Sequence, residues 1–307
     1  MGRNALSIRL SGLGRRLLRS AALVALVLVT RHSRAQSEIG PETFVDMTPD
    51  ELLKQVPELK HLEPTENQSL LPLILVRVGA NVADFFDNFS NTTCTERVSS
   101  AVNTPYQGQA VVRDAKFNYL ALVRPGADKT GLQELRTDSK GKPAGFHSQI
   151  VTIGFVALAA HFHPAYQRDS RFRYLGRELV EGSSTYVIAF AQQPAMARQL
   201  GRVVFGDEVG FVLLQGVAWI DPARFRILRL LTDIQQPDLY VGLRRETTEV
   251  EYSEVTFKEV GKKLWLPRQV KVRGQLRQYT FHNQHSYSHY RLFLVQTGEK
   301  QISPRRP

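Results

Sequence analysis

The chain has 307 residues, 42% hydrophobic and 22% charged, with a formal net charge of +11 and one cysteine. That is the composition of a folded globular protein, and it excludes a disordered chain or a polytopic membrane protein. The charge would suit nucleic acid or anionic lipid. However, Arg3, Arg9, Arg15, Arg16, Arg19, Arg31 and Arg34 supply seven of the positives within residues 1–35, where there is no acid. Without that stretch the nucleic-acid reading loses its basis.

Residues 1–35 are built like an export signal: a basic region, an apolar core AALVALVLV (21–29), and Ser33-Arg34-Ala35 with small residues where a signal peptidase reads. Nine apolar residues fall well short of the roughly 20 needed to span a bilayer. A signal peptide cleaved after Ala35 is therefore preferred to an uncleaved anchor. Arg15-Arg16-Leu17-Leu18-Arg19 resembles the twin-arginine export motif, but Gly14 stands where Ser or Thr is expected, so the general secretory route is preferred. The expected location is the periplasm or cell envelope of a bacterium. Cys94 has no partner for an internal disulfide, so stability must come from the core. NTTCTE offers it no flanking base, and a buried thiol is expected there.

From about residue 47 to 92 the pattern is helical. Thr48-Pro49-Asp50-Glu51 reads as a capping box with proline in the first turn, in which the Thr48 hydroxyl accepts from the Glu51 amide and the Glu51 carboxylate reaches back. Pro57 closes that short helix. Leu71, Leu75, Val78, Val82, Phe85 and Phe89 then recur at spacings of three and four, lining one face of a second helix.

Beyond about residue 108 the rhythm becomes that of strands, with candidates at 109–124, 132–138, 172–180, 184–192, 212–220, 224–232, 245–260, 263–273 and 277–295. Asp221 and Pro222 suit a type I turn, which pairs 212–220 with 224–232. Further turns fall at Glu181-Gly182-Ser183 and at Gly261-Lys262. After Gly261, Leu264, Leu266, Val270 and Val272 alternate with Gln269, Lys271 and Arg273, the mark of a sheet with one buried and one wet face. IVTIGFVALAAHF (150–162) is a continuous apolar run expected to form an inserted buried helix, and 193–209 reads as a loop or short helix. The domain reading is a signal peptide over 1–35, a helical segment over 36–105 packing on the sheet, an antiparallel β domain over 106–297 with a helix near 150–162, and a frayed tail over 298–307. The expected fold class is α+β, mainly β.

The stretch FHNQHSYSHYRLF (281–293) is the most chemical in appearance. On a strand, His285 and His289 stand about 13 Å apart, whereas ligands of one metal ion each approach to about 2 Å. An aromatic-rich strand is therefore preferred to a metal site. His161 and His163, with Asp169 near, are the runner-up metal ligands. No HExxH, CxxC or carboxylate cluster accompanies them, and a capping or packing role is preferred. There is no G-x-S-x-G elbow, P-loop or G-x-G-x-x-G. Glu246, Glu249, Glu251 and Glu254 fit a solvated strand face better than a glycosidase pair. No catalytic residue and no cofactor is assigned.

FRYLGRELVEGSSTYVIAF (172–190), GVAWIDPARFRILRL (216–230), a long strand, KLWLPRQVKVR (263–273) and the closing aromatic strand follow in order. Over roughly residues 165–295 this order resembles the periplasmic lipoprotein-carrier (LolA-like) and outer-membrane-lipoprotein-sorting superfamily. The resemblance implies a half-open antiparallel barrel, or strongly curved sheet, whose apolar concave face is covered by helices. Such a trough holds acyl chains or another hydrophobic ligand without catalysis. The residues expected to line it are Tyr186, Ile188, Phe190, Leu264, Leu266, Val270 and Val272 of the sheet, and Val78, Val82 and Phe85 of the covering helix. The expected function is an exported, non-enzymatic carrier or binding protein for a lipid, a lipidated protein or another hydrophobic ligand, with peripheral membrane contact and no nucleic-acid partner. The alternatives are a structural or partner-binding envelope protein without a cavity, and a His-dependent metal hydrolase. An outer-membrane barrel fits less well, because a buried apolar run interrupts the strands.

Overall fold

The computed structural model describes residues 42–103, 110–123, 132–143, 154–198, 201–205 and 207–292. The export signal with its cleavage site, the tail over 298–307 and the first residues of the 150–162 run lie outside the described residues.

Helix α1 (Pro49–Gln55) carries the capping box that its sequence predicts: the Glu51 amide donates to Thr48 Oγ1, and Glu51 Oε2 accepts from the Thr48 amide at 2.9 Å. A 3₁₀ turn (Pro57–Leu59), the two-residue strand β1 (Glu63–Pro64) and α2 (Leu71–Asp87) follow. Then come β2 (Thr92–Asn103), β3 (Val111–Val123) and β4 (Leu132–Thr137), two 3₁₀ helices (Ala157–Phe162 and Gln167–Asp169), β5 (Ser170–Val180) and β6 (Ser183–Gln192). The chain continues through β7 (Gly201–Phe205), β8 (Glu208–Val212), β9 (Leu214–Ile220), β10 (Ile227–Ile234), β11 (Leu243–Phe257), β12 (Lys262–Leu276) and β13 (Tyr279–Leu292).

Three elements differ from expectation. The helical segment expected to reach residue 105 stops with α2, and Thr92–Asn103 is a strand. Its inward positions Cys94, Glu96, Val98 and Ser100 are buried in alternation, but half of them are polar, so no hydrophobic period of two shows in the sequence. The run near 150–162 is not an α-helix in its described part; it is a turn followed by the 3₁₀ helix Ala157–Phe162. Gly154, at φ +103°, and Pro164 bracket a stretch too short to nucleate a stable α-helix. Residues 193–209 contain a turn and most of the β7–β8 hairpin rather than a helix.

Eleven strands form one sheet in the order β1-β5-β6-β9-β10-β11-β12-β13-β2-β3-β4, every ladder antiparallel, while β7 and β8 pair with each other. β1 and β4 are the two ends and do not pair, so the sheet is open. It is also strongly curved. Eight strand spacings separate β5 from β3, roughly 38 Å at about 4.8 Å each. Even so, residues from Tyr174 of β5 to Tyr119 of β3 share one core with α2, a helix only about 10–12 Å across. A flat sheet could not bring them together. The expected class, mainly β with a curved sheet whose concave face is covered by helices, is the one observed.

The opposite face has its own core. Phe44, Leu52, Val56 and Leu59, from the α1 segment, pack on Leu175, Val187, Ala189, Val217, Trp219 and Leu231. β6 is therefore buried on both sides, with Val187 and Ala189 facing α1 while Ile188 and Phe190 face α2. Full burial of Val187, Ile188 and Phe190 contributes roughly 1.5–3 kcal/mol for each side chain. β5 bends at Gly176, where φ is +137° and a Cβ would lie 2.0 Å from the Glu63 carbonyl of β1. Only glycine lets β1 close over that edge. Among the described residues no helix is long and apolar enough to cross a membrane.

Candidate functional site

α2 roofs the concave face. Ile74, Val78, Val82 and Phe86, four residues apart, form its buried stripe. This stripe is turned slightly from the expected one, and Leu71, Leu75 and Phe85 are only partly buried against the same core. The roof is tethered by side chains rather than by a ladder. Gln68 donates to the Tyr174 carbonyl (2.9 Å) and accepts from the Tyr174 amide (2.8 Å). Gln167 Nε2 donates to the carbonyls of Leu75 and Phe162, each at 2.9 Å. Asn81 Nδ2 donates to those of Arg224 (2.7 Å) and Phe225 (2.9 Å). At the C-terminal end, Lys262 of β12 donates to the Asn88 carbonyl and, at 2.6 Å, to Ser90 Oγ. A cation suits the negative end of the helix dipole.

Between the C-terminal half of α2 and the rim of the sheet lies a cleft of about 120 Å³. The β9–β10 turn, β11 and the start of β12 form that rim. Val82, Val156, Ile227, Tyr252 and Leu264, all buried, make its deep wall. Asn81, Asp84 and Asn88 of α2 and Arg226, Lys262 and Lys263 of the rim supply its polar lining. The Arg226 guanidinium lies 5.3 Å from the Trp265 ring centre. Glu254 bridges Arg226 (2.9 Å) and Lys263 (2.7 Å), and these two cations hold its carboxyl below the usual carboxylate range.

Of the residues expected to line a trough, Val82, Phe85 and Leu264 border this cleft. Val78, Ile188, Phe190, Leu266, Val270 and Val272 belong to the same core but are fully buried, and Tyr186 packs on its margin. With the roof seated, these seven are interior packing rather than pocket wall. Phe225, Tyr252 and Trp265 line the cleft without having been anticipated, because tertiary packing alone decides which residues meet the C-terminal half of α2.

His285 is fully buried on β13, and its Nδ1 meets Glu96 Oε1 at 2.9 Å. Glu96, also fully buried, accepts from Arg136 (2.7 Å to Nη2, with Nε on the other oxygen) and from Tyr287 (2.9 Å). Burial pushes the Glu96 carboxyl up, but the bonds from Arg136 and His285 outweigh it and hold it at about 2. Burial lowers the His285 pKa, with Glu96 opposing. With Glu96 ionised and His285 neutral, Nδ1–H donates to the carboxylate and Nε2 carries the lone pair. Among the described residues no hydrogen-bond partner reaches the buried Nε2, and Phe155 lies edge-on to the ring, 5.1 Å between centres. Beside this group, Glu134 accepts from the amides of Gly154 (2.8 Å), Val156 (3.0 Å) and Ala157 (3.3 Å), and from the Tyr119 hydroxyl. Burial raises the Glu134 pKa against those donors. The cluster thus nails the 154–162 cover onto the sheet. Cys94 of β2 is buried as well, and burial pushes its thiol up to about 12.

His161 and His163 face different surfaces. His161 stacks on Phe190 (5.1 Å between ring centres), while His163 lies against Phe86 (6.0 Å) and Tyr166 (5.8 Å). Among the described residues no three His, Cys, Asp or Glu side chains converge to hold a metal ion. His289, expected on the same face as His285, leaves it through a bulge at φ +57° and is exposed. Glu249 also departs from the expected solvated row: it is buried, paired with Arg229 at 2.8 Å and with Lys271 at 3.6 Å. Glu96, Glu134 and Arg136, the chief polar residues of the interior, escaped sequence reasoning because an inward charge erases the very alternation that marks a strand.

No protein-family model matches the chain, and no curated protein matches it in sequence. Similar solved structures exist. One, a domain from Vibrio parahaemolyticus described as outer membrane lipoprotein-sorting, is 14% identical with a TM-score of 0.38, covering 74% of this chain and 94% of its own. A DUF1329 family protein from Desulfovibrio piger is 12% identical with a TM-score of 0.35, covering 73% and 92%. A LolA superfamily protein from Nitrosomonas europaea is 12% identical with a TM-score of 0.34, covering 73% and 94%.

Proposed function

We propose that this chain is an exported, non-enzymatic carrier that takes a hydrophobic ligand, a lipid or the acyl chain of a lipidated protein, under α2. The observation that supports this reading is the cleft, whose apolar wall runs into a core roofed by a single tethered helix. At about 120 Å³ it is smaller than the roughly 300–1,000 Å³ of sites that enclose a drug-sized ligand. Uptake therefore lifts the roof, and ligand methylenes replace part of the packing of α2 on the core that includes Ile188, Leu266 and Val270. Each methylene withdrawn from water contributes about 0.8 kcal/mol, so an apolar trough needs no special residues. Leu73 and Val76 on the outer side of α2 are 50% and 67% exposed, which suits peripheral contact with a membrane during loading. Export through a cleaved N-terminal signal places the carrier in the cell envelope.

Native mass spectrometry of the protein purified without delipidation should show a bound amphiphile. A clean apoprotein that also ignores a fluorescent fatty acid would overturn the proposal. Ala159 borders the cleft, so Ala159→Phe should fill it and weaken binding of a twelve-carbon alcohol by about tenfold or more, the equivalent of about 1.4 kcal/mol. Unfolding midpoints should be preserved, and unchanged affinity would place the binding surface elsewhere.

A further inference from the structure

We infer that the cleft selects amphiphiles with an anionic head group, carboxylate or phosphate, which Lys262 holds at the mouth while the chain enters past Val82, Phe85 and Leu264. This rests on the carrier reading and adds the chemistry of the ligand's polar end. The lining is itself amphiphilic, with an apolar deep wall and with Arg226, Lys262 and Lys263 among its polar residues.

The three cations are not equally committed. Arg226 and Lys263 share the single carboxylate of Glu254. Asp84, the other acid at the mouth, accepts from Asn88 Nδ2 at 2.7 Å. Both partners of Lys262, the Asn88 carbonyl and the Ser90 hydroxyl, are neutral. Among the described residues at the mouth three cations face two carboxylates, and neither carboxylate is bonded to Lys262. A carboxylate or phosphate offers that ammonium a full opposite charge, an ion pair that neither neutral oxygen supplies.

The position matters as much as the charge. Asn88 is the C-cap of α2, so Lys262 is the tie between the end of the roof and the sheet rim. An anion that captures the Lys262 ammonium competes with that tie at the point where a chain must pass. Head-group recognition and roof release then draw on one side chain. A neutral amphiphile must displace the tie without a charge to replace it, and a cationic one is also repelled by the positive mouth.

The test compares ligands of one chain length and different heads on the purified, delipidated protein. Isothermal titration would use laurate, dodecyl phosphate, dodecanol and dodecyltrimethylammonium, each below its micelle threshold. Both anions should bind about tenfold more tightly than dodecanol, and the cation more weakly than dodecanol. The gap should narrow between about 0.05 M and about 0.5 M salt, where the screening length contracts severalfold. Lys262→Met should remove most of the gap between the anions and dodecanol, and Lys263→Met, whose cation is already paired, should narrow it less. The wild-type and salt comparisons stand whether or not either variant folds. Dodecanol binding as tightly as both anions would overturn the head-group inference and leave the carrier reading intact. Failure of all four ligands would sink both. Inorganic phosphate displacing dodecyl phosphate from a protein that ignores dodecanol would reveal an anion site without a chain site, and would also overturn the inference.

Discussion

Replacing His161 by phenylalanine should flatten the acid side of the stability curve. His161 is 7% exposed, stacked 5.1 Å from Phe190 at an interplanar angle of 28°. Burial depresses its imidazole from 6.5 to about 4, with Asp169 pulling weakly the other way. The unfolded chain gains a proton at this residue as the pH falls below 6.5, while the folded protein does not. Its contribution is therefore complete above pH 6.5, declines as the pH falls, and is lost at about 4. At 1.36 kcal/mol per unit this amounts to about 3 kcal/mol, or roughly 6–12 °C of unfolding midpoint for a domain of this size. Other buried groups act on the same limb. His285, also lowered by burial, adds to the loss, whereas Asp233, raised to about 6 by burial, and Glu134, likewise raised by burial, oppose it. The informative quantity is therefore the difference between wild type and His161→Phe at each pH. Calorimetry and urea unfolding at pH 7 and pH 4.5 should show the variant at least as stable as wild type at neutrality and losing much less on acidification. Equal losses in the two proteins would show that His161 is not held neutral by burial, and with it that the 155–162 cover does not seal the concave face.

Two further outcomes follow from the interior. Cys94, buried and pushed up to about 12, should resist iodoacetamide at pH 8 in the native protein and react fully in urea; fast native alkylation would mean that β2 is exposed. Glu96→Ala and Arg136→Met should each cost about 3–5 kcal/mol by leaving the other charge buried, while the double replacement costs less than their sum; simple additivity in denaturant titrations would show that the pair does not act as a unit.

The parts of this protein legible in its sequence are those whose energy is local. Thr48 and Glu51 cap α1 because the two residues are one helical turn apart. The Glu181-Gly182 turn closes a two-residue hairpin, both residues at positive φ (48° and 80°), since that backbone matches the twist of its strands. Asp221 accepts from the amides of Ala223 (2.7 Å) and Arg224 (3.1 Å), ordering the β9–β10 turn. Leu264, Leu266, Val270 and Val272 face inward because side chains alternate along a strand.

Tertiary structure alone decided the rest. Glu96 meets Arg136 across 40 residues and His285 across 189, and Lys262 meets Asn88 across 174. No periodicity encodes such meetings. The same holds for the trough residues: alternation puts Ile188 and Val270 on the inner face, but only the seating of α2 and the Phe155–Phe162 cover makes them packed core rather than open wall. Side-chain direction is set by neighbours along the chain, whereas burial and charge pairing are set by which distant strands the curvature of the sheet brings together.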